Sequence, residues 1–583
     1  MWDVVLSSSV TENGYDIVQC TGVPTLSLVR RDDWGSVGNL SQAYTFKTVA
    51  LMQATLIVFP VGKKIFWQGY YAQSDGGGNW GVVKSGAHTD DGGSIFSIDA
   101  NTYIEANLKG YKISNRKFGA IGEGESSRDI DTAIHQKWIN YGVDNDVELR
   151  ADIGYYALTT GLVATLPDKG SLVISGVGEA AHRYREPDDM KCARFFASTS
   201  VAWIDGNSLL STNKPTLWYR TTLILDKVQF VGDNETTDSV DNGIVTGVYS
   251  QVNTGIDKCG FYLCKIGLNL NSGGNSVDNS RFSKCSWAGI RADGGDSSYS
   301  NNHFDNIRRD EDDGASYRGS GIFLAKGNNS NISGGKIEAC QKGVFLYRSQ
   351  GINISTINFD FNKWNIRIQS EINGEIAYVA RSINITNNRF LAAIDQHIRF
   401  ENLTTDVATY TMTGNSFARG NSSAYDDNQT GLLPAGAYPT NNFIHLRGSG
   451  SHDTVMTGNN TLIASETLSI YHPSSGTLNL TANSDAFITV DLATGGGKVV
   501  RRTRDVVLSV LPTTGTWSQG DIVNIRFPIA NKTQSYTCTL AGTFGATDPE
   551  FQENGILGAV KGETATDITS LLTSLRDAGI IKT

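Results

Sequence analysis

Residues 279–305 read Asn279-Ser-Arg-Phe-Ser-Lys-Cys-Ser-Trp-Ala-Gly-Ile-Arg-Ala-Asp-Gly-Gly-Asp-Ser-Ser-Tyr-Ser-Asn-Asn-His-Phe-Asp305. The stretch opens on Ser-Arg-Phe, ending at Phe282, and closes on Asn-His-Phe, ending at Phe304. The same aromatic or Ile position recurs at Phe230, Phe261, Phe282, Phe304, Ile337, Phe359, Phe390 and Phe417. The intervals are 31, 21, 22, 33, 22, 31 and 27, so the base period is about 22 and the longer intervals carry insertions.

A second column follows the first at Ile290, Ile322, Val344, Ile366, Ile398 and Ile444. Two residues on stand Ala292, Leu324, Leu346, Ile368 and Phe400, with Arg291, Phe323, Phe345, Arg367 and Arg399 between. Strict alternation means a strand with one buried face. A third column passes through Ile332, Ile354, Ile385 and Met412. Three short strands per period, repeated at least eight times, predict an all-β chain wound as a parallel β-helix. Like residues then stack about 4.8 Å apart on successive coils. Cys264, Cys285 and Cys340, each three residues past its column position, read as an internal thiol stack rather than metal ligands.

Composition agrees with many short strands and tight turns. Of 583 residues, 63 are Gly and only 11 Pro, and the hydrophobic fraction of 39% is enough for a large core. A net charge of −10 argues against nucleic acid as a partner. No run of 18 apolar residues exists, so no membrane insertion is expected. Met1-Trp2-Asp3 lacks the basic start of a secretory signal. Seven scattered Cys without zinc spacing predict reduced thiols in a protein folded in a cytosol, with no metal and no cofactor.

A terminal coil needs a cap. Residues 128–140 carry Ile130, Ala133, Ile134, Trp138 and Ile139 at helical spacing, which places a capping helix there. The expected domains are a small N-terminal domain and cap over 1–115, the β-helix over 116–465, and a C-terminal β-rich region over 466–583. That last region is expected to support trimer formation or to bind carbohydrate.

The outward residue after each column aromatic is, in order, Val231, Tyr262, Ser283, Asp305, Glu338, Asp360, Leu391 and Ala418. Three acids therefore fall on three successive coils. Stacking sets Asp305 roughly 5 Å from Glu338 and roughly 10 Å from Asp360 at the backbone. Like charges so placed raise the pKa of one member, which suits glycoside cleavage by a protonated acid and a carboxylate. A solvated acidic stripe is the alternative. The insertion Arg308–Arg318 leaves directly after Asp305 and offers Arg308, Tyr317 and Arg318 as sugar contacts. Trp287, Tyr347 and Trp364 are candidate platforms, and Arg367, like Arg399, a partner for an anionic sugar. His303, His397 and His445 stand isolated and receive no role.

Phe118-Gly-Ala-Ile-Gly-Glu-Gly-Glu-Ser-Ser-Arg-Asp-Ile-Asp-Thr-Ala-Ile134 resembles the opening of pectate-lyase-like right-handed β-helix proteins, with Glu123 and Arg128 where Asp is usual. Gly69–Trp80, with its Asp-Gly-Gly-Gly turn, and Thr89–Phe96, with Asp-Asp-Gly-Gly, resemble the small domain ahead of the helix in tailed-phage tailspikes and capsule depolymerases. Asp567–Ile580 resembles terminal segments of phage tail proteins. The resemblance implies a homotrimer of right-handed single-stranded parallel β-helices on a virion, held by phage tail or baseplate proteins. It implies binding and endo-glycosidic hydrolysis of an O-antigen or capsule, commonly with inversion. A polysaccharide lyase and a non-catalytic adhesin are the competing readings.

Overall fold

The structure is a computed structural model. It describes residues 43–108, 110, 112–178, 180–181, 192–204, 207–232, 244–307, 318–372, 375–376, 380–404, 406–418, 443–447 and 451–462, with short segments at 15–18, 27–30, 468–472, 477–481, 488–492, 498–502, 505–508, 516–517, 522–525, 535–540, 542–543 and 549–553. It divides into two units, residues 1–346 and 347–583.

The first unit begins with a small sheet of Ala43–Thr48, Lys64–Gly69, Asn79–Ser85, Thr102–Ala106 and Ile95–Ser97. Its core is Met52, Ile65, Trp67, Val83, Phe96 and Ile104. The two glycine motifs of this region build turns. Asp75 accepts from the backbone N–H groups of Tyr70, Tyr71, Ala72 and Gly77 at 2.7–3.0 Å. Partial burial pushes its pKa up, but these four donors outweigh it and the net shift is downward. A Cβ on Gly77 would lie 2.6 Å from that of Tyr70, so the turn closes only with glycine.

Three parallel sheets follow, each built from one strand per coil. The aromatic column lines the interior of one sheet, with rings stacked at 5.6 Å (Phe230–Phe261) and 4.8 Å (Phe261–Phe282, Phe282–Phe304). The columns expected at Ile290, Ile322 and Val344 pair directly in a second sheet. Asn331–Ser333 and its equivalents form the third. Four consecutive strands of the aromatic sheet, from Gly260–Tyr262 to Lys336–Glu338, are each ended by a residue in the left-handed conformation, with φ 55° at Leu263, 53° at Lys284, 55° at Asn306 and 52° at Ala339. One such residue turns the chain sharply without a long loop. Cys264, Cys285 and Cys340 are fully buried.

The helix expected over 128–140 runs Arg128–Asn145, but its buried face differs from the expected one. Ile130 is 42% exposed and Ala133 is exposed, while Asp131 and His135 are buried with Ile134, Trp138 and Ile139. The reason is backbone satisfaction. Asp131 accepts from Ile121 N (2.7 Å), Gly122 N and Ser127 Oγ (2.6 Å), and Trp138 Nε1 donates to Ile113 O (2.8 Å). The Phe118–Ile134 motif is thus a polar clasp that joins the helix to the first coil.

The second unit has its own parallel ladders. Phe359, Phe390 and Phe417 stack at 5.0 and 4.8 Å, and Ile366, Ile398, Ile444 and Ile470 pair in register. Buried Asn388 donates to Asn415, and Asn415 to Asn459, side chain to side chain along the stack. Parallel pairing continues past residue 465, the expected end of the β-helix, to Lys498–Arg502. Among the described residues the aromatic sheet ends at Asn460–Thr461 while the other two sheets go on, so the marker column stops before the coils do. A separate sheet of Asp505–Leu508, Ile522–Ile525, Ser535–Leu540 and Glu550–Glu553 follows. Residues 567–580 lie outside the described residues.

Two buried histidines make stability pH-dependent. His135 donates from Nδ1 to Asp131 O (2.6 Å) and accepts at Nε2 from Asn115 (3.0 Å); burial pushes its pKa from 6.5 to about 4. His397 accepts at Nδ1 from Asn365 (2.7 Å) and donates from Nε2 to Ala418 O (2.9 Å); burial lowers it to about 3. Both are less basic folded than unfolded, so below pH 6.5 the unfolded chain binds more protons. Their contribution is complete above pH 6.5 and is lost as pH falls towards 4 and 3. The denaturant midpoint is therefore expected to drop between pH 7 and pH 4.5; an unchanged midpoint would contradict the assignment.

Candidate functional site

Three neighbouring strands of the first unit carry the charged patch: β1 (Arg281–Ser283), β2 (His303–Asp305) and β3 (Lys336–Glu338). Phe282, Phe304 and Ile337 point inward and pair in register. Residues on either side of them must point outward. One outward row is Arg281, His303, Lys336; the other is Ser283, Asp305, Glu338. The expected Asp305–Glu338 pair is thus on one face, on adjacent strands.

The electrostatics differ from the expected clash of like charges. Each carboxylate has its own cation. Asp305 Oδ1 lies 3.2 Å from Arg281 Nη2, and its Oδ2 accepts from Ser283 Oγ at 3.0 Å. Both partners of this ion pair are 12% exposed at the side chain. Glu338 Oε1 lies 2.8 Å from His303 Nε2, and Oε2 pairs with Lys336 Nζ. Burial pushes the Glu338 pKa up, but the bonds from His303 and Lys336 outweigh it and bring it down from 4.5 to about 2. Glu338 is therefore ionised at neutral pH.

Arg281, His303 and Lys336 were missed by reading the acid column alone. The signal was present: in a strand, residues i and i+2 share a face, so His303 accompanies Asp305 and Lys336 accompanies Glu338. His303 is not isolated. His397 is a core residue, and His445 is pushed down to about 4 by burial and by Arg447 and Arg399.

The structure places the other candidates as follows. Trp287 follows β1 and is half-buried, with Lys265 Nζ 3.7 Å and Arg318 Cζ 4.4 Å from its ring centroid. Its ring is therefore a cation seat and not an open platform. Arg308 and Tyr317 lie outside the described residues.

In the second unit, Asp360 keeps the outward phase after inward Phe359 and is partly exposed. Tyr347 is buried, with the Arg348 guanidinium 4.9 Å from its ring. Trp364 is buried and donates from Nε1 to Asp395 at 2.9 Å. Arg367, expected at the surface, is 2% exposed, lies 4.9 Å from the Trp364 ring and 3.7 Å from Glu401. Alternation gave the correct side of the strand but not what covers it.

No protein-family model and no curated protein matches the chain. Among solved structures, it is similar to the enzymatically active domain of tailspike protein 2 of bacteriophage CBA120 (14% identity, TM-score 0.46). It covers 78% of this chain and 63% of that one. The full-length tailspike protein 2 gives 15% identity and a TM-score of 0.44 over 82% and 60%. Tailspike gp49 of Acinetobacter baumannii bacteriophage Fri1, a capsular polysaccharide depolymerase, gives 11% and 0.43 over 89% and 92%. The chain thus spans less than two thirds of the length of the first two. These likenesses concern the course of the backbone.

Proposed function

We propose that the protein is a tailed-phage tailspike that binds and depolymerises a bacterial surface polysaccharide by endo-glycosidic hydrolysis. The observation that carries the reading is the outward Asp305–Glu338 pair, on adjacent strands and with separate cations. Glycosidic cleavage builds positive charge on the sugar ring, and two fixed carboxylates on one face answer it. Asp305 activates water or attacks the anomeric carbon, and Glu338 supplies standing negative charge. Asp360, in the second unit, stays a separate candidate acid. Trp287 and Arg318, with Arg308 and Tyr317, are proposed contacts to the chain; Tyr347, Trp364 and Arg367 take a supporting part. The proposed assembly is a homotrimer on the virion, attached to tail or baseplate proteins, folded in the host cytoplasm and acting at the host surface. The proposed domains are the small N-terminal domain and cap over 1–115, the β-helix from 116, whose parallel pairing runs to Arg502, and the C-terminal region after it, serving trimer formation or glycan binding.

One observation favours elimination as a second reading. His303 stands between Arg281 and Lys336 in one row, which is a base between two cations able to neutralise a uronate carboxylate. Incubation with a panel of purified O-antigens and capsules, followed by mass spectrometry, separates the readings. Hydrolysis predicts a gain of about 18 mass units, one water, per cut. Fragments without that gain mean elimination, and intact glycans mean that the protein only binds.

A further inference from the structure

Hydrolysis also needs a proton for the departing oxygen, and neither carboxylate of the patch is placed to give one. Glu338 is ionised and holds Lys336 and His303. Asp305 has both oxygens turned to partners, Oδ1 beside Arg281 Nη2 and Oδ2 accepting from Ser283 Oγ. His303 is the remaining candidate donor among the described residues of this face. Its Nε2 meets a carboxylate, which only accepts, so Nε2 carries the hydrogen. Its Nδ1 makes no hydrogen bond among the described residues, and the side chain is 31% exposed.

We propose that His303, as the imidazolium, donates its Nδ1 proton to the leaving glycosidic oxygen, with Glu338 as the positioning residue that fixes the ring and balances its charge. This rests on the depolymerase reading. The C–O bond breaks with its electron pair on the leaving oxygen, which takes the Nδ1 proton. Water adds its oxygen to the anomeric carbon, and its proton passes to the Asp305 carboxylate. Solvent then returns a proton from Asp305 to His303. Two residues apart on one strand, the Cα atoms of His303 and Asp305 stand about 6.6 Å apart and both side chains leave the same outward face. The groups that face His303 are Arg281 on β1, Lys336 and Glu338 on β3, and Asp305 on its own strand.

The test uses the full chain and the glycan that the wild type cuts. His303→Gln is expected to lower kcat by about 10²–10⁴-fold with little change in KM, and to abolish the alkaline fall of the pH–rate profile. Nitrogen-15 spectra of histidine-labelled protein are expected to show the neutral ring protonated at Nε2. A neutral ring protonated at Nδ1, or His303→Gln cutting at the wild-type rate with the same alkaline limb, overturns the donor role and leaves the depolymerase reading standing. A wild type that cuts no glycan overturns that reading itself.

Discussion

Glu338→Gln is expected to lower glycan cleavage by about 10³-fold while the fold survives. The substitution keeps shape and removes charge. It takes away the anion that orients His303 at 2.8 Å and that pairs with Lys336. Lys336 is 39% exposed, so water takes over much of that pairing and the cost to stability stays small. Asp305→Asn is a less clean test, because it strands a guanidinium that is only 12% exposed. Steady-state rates beside thermal unfolding decide the matter. Glu338→Gln with wild-type rates would remove Glu338 from the chemistry; a collapsed melting temperature would make it a structural residue.

Phe282→Ala is expected to cost about 3–5 kcal/mol, the largest stability loss from a single truncation in the patch region. Phe282 is fully buried, with Phe261 and Phe304 each stacked at 4.8 Å and nearly parallel. Coils are held on both sides by their neighbours, so the ladder has little freedom to close over the gap. Phe282→Leu keeps most of the apolar volume and is expected to cost clearly less. Denaturant unfolding of both variants checks this; a loss under about 1 kcal/mol for Phe282→Ala would mean that the stack does not hold the coils together. The same truncation lies directly beneath Arg281 and Ser283, so activity is expected to fall with stability.

Much of the fold was legible because stacking turns sequence period into geometry. Phe282, Phe304 and Ile337 could be aligned by eye, and once aligned they fix the phase of every neighbour, Asp305 and Glu338 included. What the acid column could not give was its surroundings. The pairing of Asp305 with Arg281 needs a diagonal contact across strands, and that of Glu338 with His303 another. Repulsion was expected because only one of two outward rows was read. The second failure is of another kind. Arg367 lies on the outward side by alternation, yet it is buried, since a strand's period fixes direction and says nothing of cover. Ile130 and Ala133 show the reverse. The helix Arg128–Asn145 turns polar Asp131 and His135 inward because the first coil presents backbone N–H groups that a carboxylate satisfies and an aliphatic side chain leaves unpaired. Past Thr461 the aromatic marker stops, so the later coils had no column to be read from.

A crystal structure of the full-length Glu338→Gln protein with an oligosaccharide from the susceptible glycan tests the central claim most directly. The account predicts a sugar ring across the outward faces of β2 and β3, with its scissile oxygen within hydrogen-bond reach of His303 Nδ1 and its anomeric carbon over Asp305. An oligosaccharide seated elsewhere, with this face bare, would contradict it.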